Sequence, residues 1–220
     1  MTEIEAIRAR HAVRNYTAKP LSPEIIDELS EEIEQCNRQG QLHIQLVTEN
    51  EDAFKTFIPL FGRFKNVKNY IALAAKKQGD FYVKCGYCGA RLMVKAQQAG
   101  LNSCWVTNTY NAKKCPVTLA PDEELVGVIA IGYGTTDGTQ HKSKSMERLC
   151  KPCSDKWFLD GMNAAVLAPT GLNRQNFFIE ANGNTVSIRT KDNHPMSQIN
   201  TGIVKYHFEM GAGRENFNWE

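Results

Sequence analysis

The chain has 220 residues, 42% hydrophobic and 23% charged, with a formal net charge of +2. This suffices for a buried core in one globular domain or two closely packed halves. Lys and Arg are spread along the sequence, which speaks against a nucleic-acid binder, and no stretch reaches the ~20 apolar residues of a membrane span. The opening MTEIEAIRARHAVR carries charges every few positions where a secretory signal has an apolar run, so a cytoplasmic protein is expected. Its seven cysteines, an odd number, are then expected to be reduced.

In chain order, Ile4, Ile7 and Ala12 between charges predict an amphipathic helix over Met1 to Val13, ending near Arg14-Asn15-Tyr16. Ser22-Pro23-Glu24 reads as N-cap, first-turn proline and an acid facing the helix dipole, opening a second helix to about Cys36. Gln41 to Val47 alternates like a half-buried strand, and Val67 to Ala75 is a more apolar one. Asp80 to about Ala99 has helical spacing, stopped by Gly100. Ser103 to Thr107 and Val126 to Tyr133 are two further strands, the second nearly all apolar and therefore central.

A polar, Gly-rich loop covers Gly134 to Ser145. Then come a helix from about Lys156 to Leu167, a strand over Asn176 to Ala181, a turn at Asn182-Gly183-Asn184, a pairing strand over Thr185 to Thr190, and a helix over about Ile199 to Met210. Asn37-Arg38-Gln39 and Asn173-Arg174-Gln175 each lead into a strand. Gly89 to Gly100 and Gly202 to Gly213 each bracket a helix at one separation. These matches suggest a partial internal duplication.

Two C-x-x-C pairs, Cys85/Cys88 and Cys150/Cys153, have the form of zinc or dithiol ligands. The gap between them is far longer than a compact zinc ribbon uses, and the first pair falls inside a predicted helix, so packed thiols are the preferred reading and no metal site is assigned. His11, His43, His141, His194 and His207 form no ligand-spaced set. Trp105, Trp157, Phe177, Phe178 and Trp219 sit where core residues belong.

Five stretches, residues 10–16, 86–107, 124–134, 141–147 and 168–177, resemble the FMN-dependent nitroreductase family. Arg10, Ala12, Arg14 and Tyr16 occupy its opening R-x-S-x-R-x-[FY] motif, with Ala12 in place of the usual Ser. GYCGARLMVKAQQAGLNSCWVT (86–107) is similar to its central helix and "GLGxCW" strand. ELVGVIAIGYG (124–134) and HKSKSME (141–147) resemble "xAIGYP" and "RKSLEE". APTGLNRQNF (168–177) is similar to "APSxxNxQPW", which in the family follows the first capped helix and here stands in the second half.

The resemblance implies an α+β fold, a mixed, mainly antiparallel sheet flanked by helices. Residues 1–150 would form a nitroreductase-like first half, and 151–220 a truncated second copy standing in for a partner subunit, in a monomeric pseudodimer or weak homodimer. It implies FMN, with Arg10, His11, Lys142, Lys144 and the Ala12 N–H at the phosphate. Arg14 would face the pyrimidine end, where negative charge collects on reduction. Pro169, Thr170, Gly171 and Asn173 would line the ring, Asn108 or Thr109 would approach flavin N5, and Arg63 would stand near the same flavin edge as Arg14. The implied reaction is ping-pong: NAD(P)H reduces the flavin at N5, and a small acceptor, nitroaromatic or quinone-like, takes the electrons. No side chain need be a general acid or base. An FMN-binding sensor or flavin-handling protein is the alternative, and a zinc or thiol-redox protein the second.

Overall fold

Ser22 sets the geometry of the first long helix. Its backbone is extended (φ −74°, ψ 155°), its hydroxyl accepts the Ile25 N–H, and Pro23 follows as the first helical residue. The computed structural model describes residues 1–55 and 64–220. They form α1 (Glu3–Ala9), α2 (Pro23–Gly40), β1 (Gln45–Val47), β2 (Asn69–Lys76), α3 (Phe81–Gln98), β3 (Asn102–Val106), β4 (Glu123–Gly132), α4 (Lys156–Ala165), β5 (Phe177–Asn182), β6 (Thr185–Thr190), α5 (Pro195–Ala212) and β7 (Asn218–Trp219). The fold is α+β, with two mainly antiparallel sheets. No helix among the described residues is long and apolar enough to cross a membrane.

The chain divides into two compact units. One comprises Ala9–Phe81 and Leu92–Gln140; the other comprises Met1–Arg8, Tyr82–Arg91 and His141–Glu220. The first unit holds a four-stranded antiparallel sheet in the order β1-β2-β4-β3. Interior position explains composition: every residue of β2 except Lys76 is buried, as are the last seven of β4. Val13, Tyr16, Phe54, Tyr70, Val106 and Val128 share one apolar cluster of this unit.

Several boundaries differ from expectation, each through a contact that the local residue pattern does not show. α1 stops at Ala9, well short of Val13, because residues 12–16 are drawn into bridges with Ser103, Lys65 and Gly134. α2 runs past Cys36 to Gly40, where Asn37 exchanges two side-chain hydrogen bonds with the Ile44 backbone, at 2.9 and 2.7 Å. That clasp also shortens the expected strand over Gln41 to Val47. Only Gln45–Val47 forms ladder, with an isolated bridge at Leu42.

In the second unit β5 and β6 form a hairpin closed at Gly183 (φ +58°), and β7 lies parallel to β6. α5 starts earlier than Ile199, at Pro195, because His194 acts as N-cap: its Nδ1 accepts the Met196 N–H at 3.2 Å. Trp157, Phe158, Phe208, Phe217 and Trp219 pack ring on ring, Trp157 and Phe217 stacked with centroids 5.7 Å apart.

The succession helix, strand, strand, helix, strand occurs twice, as α2-β1-β2-α3-β3 and as α4-β5-β6-α5-β7. The tripeptides that suggested a duplication do not share a conformation. Asn37-Arg38-Gln39 is helical, whereas Asn173 (φ +52°) and Gln175 (φ +45°) are left-handed.

Candidate functional site

The basic segment after α1 is an extended strap. Val13 N–H donates to the Ser103 carbonyl, Tyr16 N–H to the Lys65 carbonyl, Lys65 N–H back to the Arg14 carbonyl, and Thr135 N–H to the Asn15 carbonyl. With its backbone so held, Arg14 and Asn15 are exposed. They line a cavity of about 380 Å³ together with Ala12, Val13, Lys65, Thr136 and Gly138. That is the size of a small-ligand pocket (~300–1,000 Å³). Among the described residues two cations, Arg14 and Lys65, stand on its wall and no acid does, so it suits an anionic or electron-rich ligand.

Arg10, two residues before the cavity's first lining residue, is 4% exposed, and its Nε and Nη1 have no hydrogen-bond partner among the described residues. Burial lowers its pKa to about 10, against a smaller opposing pull from Cys104 and Tyr16. The Ser103 hydroxyl is likewise buried without a partner. Buried polar groups are nearly always satisfied, so two idle guanidinium nitrogens point to a ligand that completes them. A phosphate dianion has the charge and acceptors for that task.

The remaining expected residues divide as follows. His11 is half-buried and Ala12 exposed beside the cavity. Asn108 and Thr109 lie in the bend after β3, outside the cavity lining. Arg63 lies outside the described residues. Lys65 escaped the sequence reading: nothing in its neighbours marks it, and only the backbone bridge to Asn15 brings it to the cavity.

The second unit gathers its own set on two laced loops. Asn173 Nδ2 donates to the Lys142 carbonyl at 2.8 Å, Lys144 N–H to Gln175 Oε1 at 2.6 Å, and Ser143 Oγ to the Val166 carbonyl at 3.0 Å. Thr170 Oγ1 accepts the Gln175 N–H, and Gly171 N–H donates to Asn200 Oδ1. Pro169 is half-buried at the loop's start. Lys142 is exposed, whereas the Lys144 ammonium already reaches the Gln175 carbonyl at 3.0 Å and Asn176 Oδ1 at 3.4 Å. His141 Nδ1 and Asn173 Oδ1 are buried without partners.

Leu172, Asn173 and Gln175 all have positive φ, and the Leu172 side chain is 67% exposed. Strain held by so many bonds is typical of functional loops. Leu172→Gly is expected to raise stability by about 0.5–1 kcal/mol, since glycine enters the left-handed region freely and little packing is lost. Urea denaturation checks this, and a loss above about 1 kcal/mol would show that the leucine packs as part of the fold.

Of the four paired cysteines, three are buried. Cys85 and Cys88 are buried within α3, and Cys150 is buried at a bridge to Ile179, its thiol pKa raised by burial and then by Cys153. Among the described residues no cysteine is joined in a disulfide, and no group of three or more potential ligands could hold a metal ion.

Comparison with known proteins identifies the family. A family model described as "Putative TM nitroreductase" matches residues 3–212. Comparison with curated proteins gave no match. Among solved structures, the chain is similar to a "putative nitroreductase" from Thermotoga maritima at 20% identity and TM-score 0.69, over 98% of this chain and 85% of that one. A "putative nitroreductase in complex with fmn" from Desulfovibrio desulfuricans is 16% identical with TM-score 0.58, over 70% of this chain and 99% of that one. A "Putative NADH dehydrogenase/NAD(P)H nitroreductase" from Parabacteroides distasonis is 19% identical with TM-score 0.54, over 67% and 95%. At these identities the structures speak for the fold; the model match across nearly all of the sequence carries the assignment, and the chain belongs to this nitroreductase family.

Proposed function

We propose that the protein is an FMN-dependent oxidoreductase that takes electrons from NADH or NADPH and passes them to a small nitroaromatic or quinone-like acceptor. The observation that carries this reading is the buried Arg10 guanidinium with two unpartnered nitrogens, followed in sequence by a cavity with two more cations. The residues fit the cofactor. Arg10 has two idle donors for the phosphate, and Arg14 and Lys65 offer positive charge to the electron-rich pyrimidine edge.

Bound FMN would supply the hydride and electron chemistry. The chain's own residues bind and tune. Arg10 would anchor the phosphate, with His11 and the Ala12 N–H beside it. Arg14, fixed by its strap, would favour the reduced state by opposing the charge that collects on reduction. For Lys142, Lys144, Pro169, Thr170, Gly171 and Asn173 we propose a part in flavin binding, supported by their motif and by the idle Asn173 Oδ1. A role for Asn108 or Thr109 near flavin N5 is proposed on sequence order alone. The repeated element succession supports reading residues 151–220 as a truncated second copy.

The test is direct. Purified protein incubated with FMN and desalted should stay yellow, bleach anaerobically on NADH or NADPH, and regain colour on addition of a nitroaromatic or quinone. Failure to retain FMN supplied in excess would overturn the proposal. Retention without bleaching would assign the protein to flavin sensing or handling instead.

A further inference from the structure

The strap that presents Arg14 is held by a side chain to which the motif gives no task. Its backbone is bonded to Ser103 through Val13 N–H, to Lys65 through the Arg14 carbonyl and Tyr16 N–H, to Thr135 through the Asn15 carbonyl, and to Tyr133 through Thr17 N–H. Asn66 Nδ2 takes the Tyr16 carbonyl at 3.0 Å. The Val13 carbonyl, immediately before Arg14, is taken by none of these. It accepts from the hydroxyl of Tyr16, at 2.8 Å, which closes a ring around Arg14 and Asn15.

That hydroxyl is well fixed. The Tyr16 ring is 2% exposed and lies against Gly132, where an added Cβ would come within 3.0 Å of its Cδ1. The Ala130 carbonyl, 3.2 Å away, is its other acceptor. Burial pushes the phenol well above its ordinary pKa, so it remains a donor at any working pH. Loss of this hydroxyl leaves a carbonyl of the strap without its bond and frees the backbone from which Arg14 projects.

We propose that Tyr16 is a positioning residue for Arg14, its hydroxyl clamping the Val13 carbonyl so that the guanidinium stays fixed toward the flavin edge assigned to this cavity. The inference rests on the flavin reading above. Its physical basis is that a charge stabilises a developing charge best when it need not reorganise, and a loosened arginine swings toward water.

The experiment measures the FMN midpoint potential in wild type, Tyr16→Phe, Arg14→Gln and the double variant. Tyr16→Phe should leave affinity for oxidised FMN almost unchanged while the preference for reduced over oxidised flavin falls by about three- to tenfold, a drop of up to about 30 mV for the two-electron couple. Arg14→Gln should lower the potential further, and adding Tyr16→Phe to it should change nothing more.

An unchanged potential in Tyr16→Phe beside a lowered one in Arg14→Gln would overturn the clamp and leave the flavin reading standing. Additive losses would overturn it too, because Tyr16 would then act other than through Arg14. An Arg14→Gln potential equal to wild type would overturn the flavin placement and the clamp with it. Should Tyr16→Phe fail to fold, Gly132→Ala presses on the ring while keeping the hydroxyl. It should lower the potential in the same direction, and no shift there would sink the proposal.

Discussion

Arg10→Met should raise the melting temperature of the flavin-free protein and at the same time lower its affinity for FMN. The guanidinium is 4% exposed with two idle nitrogens, and an unpaired buried cation is a cost to the fold. Its pKa falls from the ordinary arginine value to about 10, chiefly through desolvation. For a base, a folded-state pKa below the unfolded one means that the proton is held more tightly by the unfolded chain. The penalty is therefore full below about pH 10 and fades only as the pH climbs from there toward the unfolded chain's ordinary arginine pKa. At ~1.36 kcal/mol per pH unit it is of order 3 kcal/mol at neutral pH.

Methionine fills similar space without charge, so the apo protein should gain about 1–3 kcal/mol, several degrees in Tm for a chain of this length. In the complex the balance reverses, because the phosphate supplies the missing partner. Loss of a charge-assisted bond of ~1.5–3 kcal/mol weakens FMN binding by roughly ten- to a hundredfold. Thermal melts with and without FMN, together with flavin titration, test both halves. If apo stability falls as well, Arg10 serves the fold and the phosphate assignment is lost.

This pairing of signs also shows what sequence could and could not give. The spacing of Arg10, Ala12, Arg14 and Tyr16 is legible because the motif is local, and so are the Ser22-Pro23 start of α2 and the apolar run that becomes β4. The burial of Arg10 is not legible, since a basic residue after a short helix looks solvated until the surrounding chain closes on it. Nor is the strap: Ala12 and Val13 carry the amphipathic pattern onward, and only bridges to Ser103 and Lys65 pull them out of helix. Lys65 and the Asn37–Ile44 clasp were hidden for the same reason. Each depends on a partner brought near by folding, and local propensity yields to such contacts.

Gly202→Ala should destabilise the protein by more than about 4 kcal/mol, the range reserved for severe clashes and cavities. A Cβ built on Gly202 would collide with the Val83 carbonyl and the Tyr87 nitrogen, and one built on Gly86 would collide with the Ile199 carbonyl. The arrangement is reciprocal: Gly86 meets the carbonyl three places before Gly202, and Gly202 the carbonyl three places before Gly86. The obstructing atoms are helix backbone, which cannot turn aside like a flexible side chain, so the helices must separate and their close packing is lost. Gly86→Ala should cost a similar amount. Once the axes are apart, however, the second alanine meets less resistance, so the double variant should be more stable than the sum of the single losses. Gly183→Ala provides the contrast, because an added Cβ there meets open space and only the φ of +58° opposes it; a loss of about 1 kcal/mol is expected. Urea denaturation of the four variants decides the matter. A Gly202→Ala loss no larger than that of Gly183→Ala would mean that α3 and α5 do not cross at this distance.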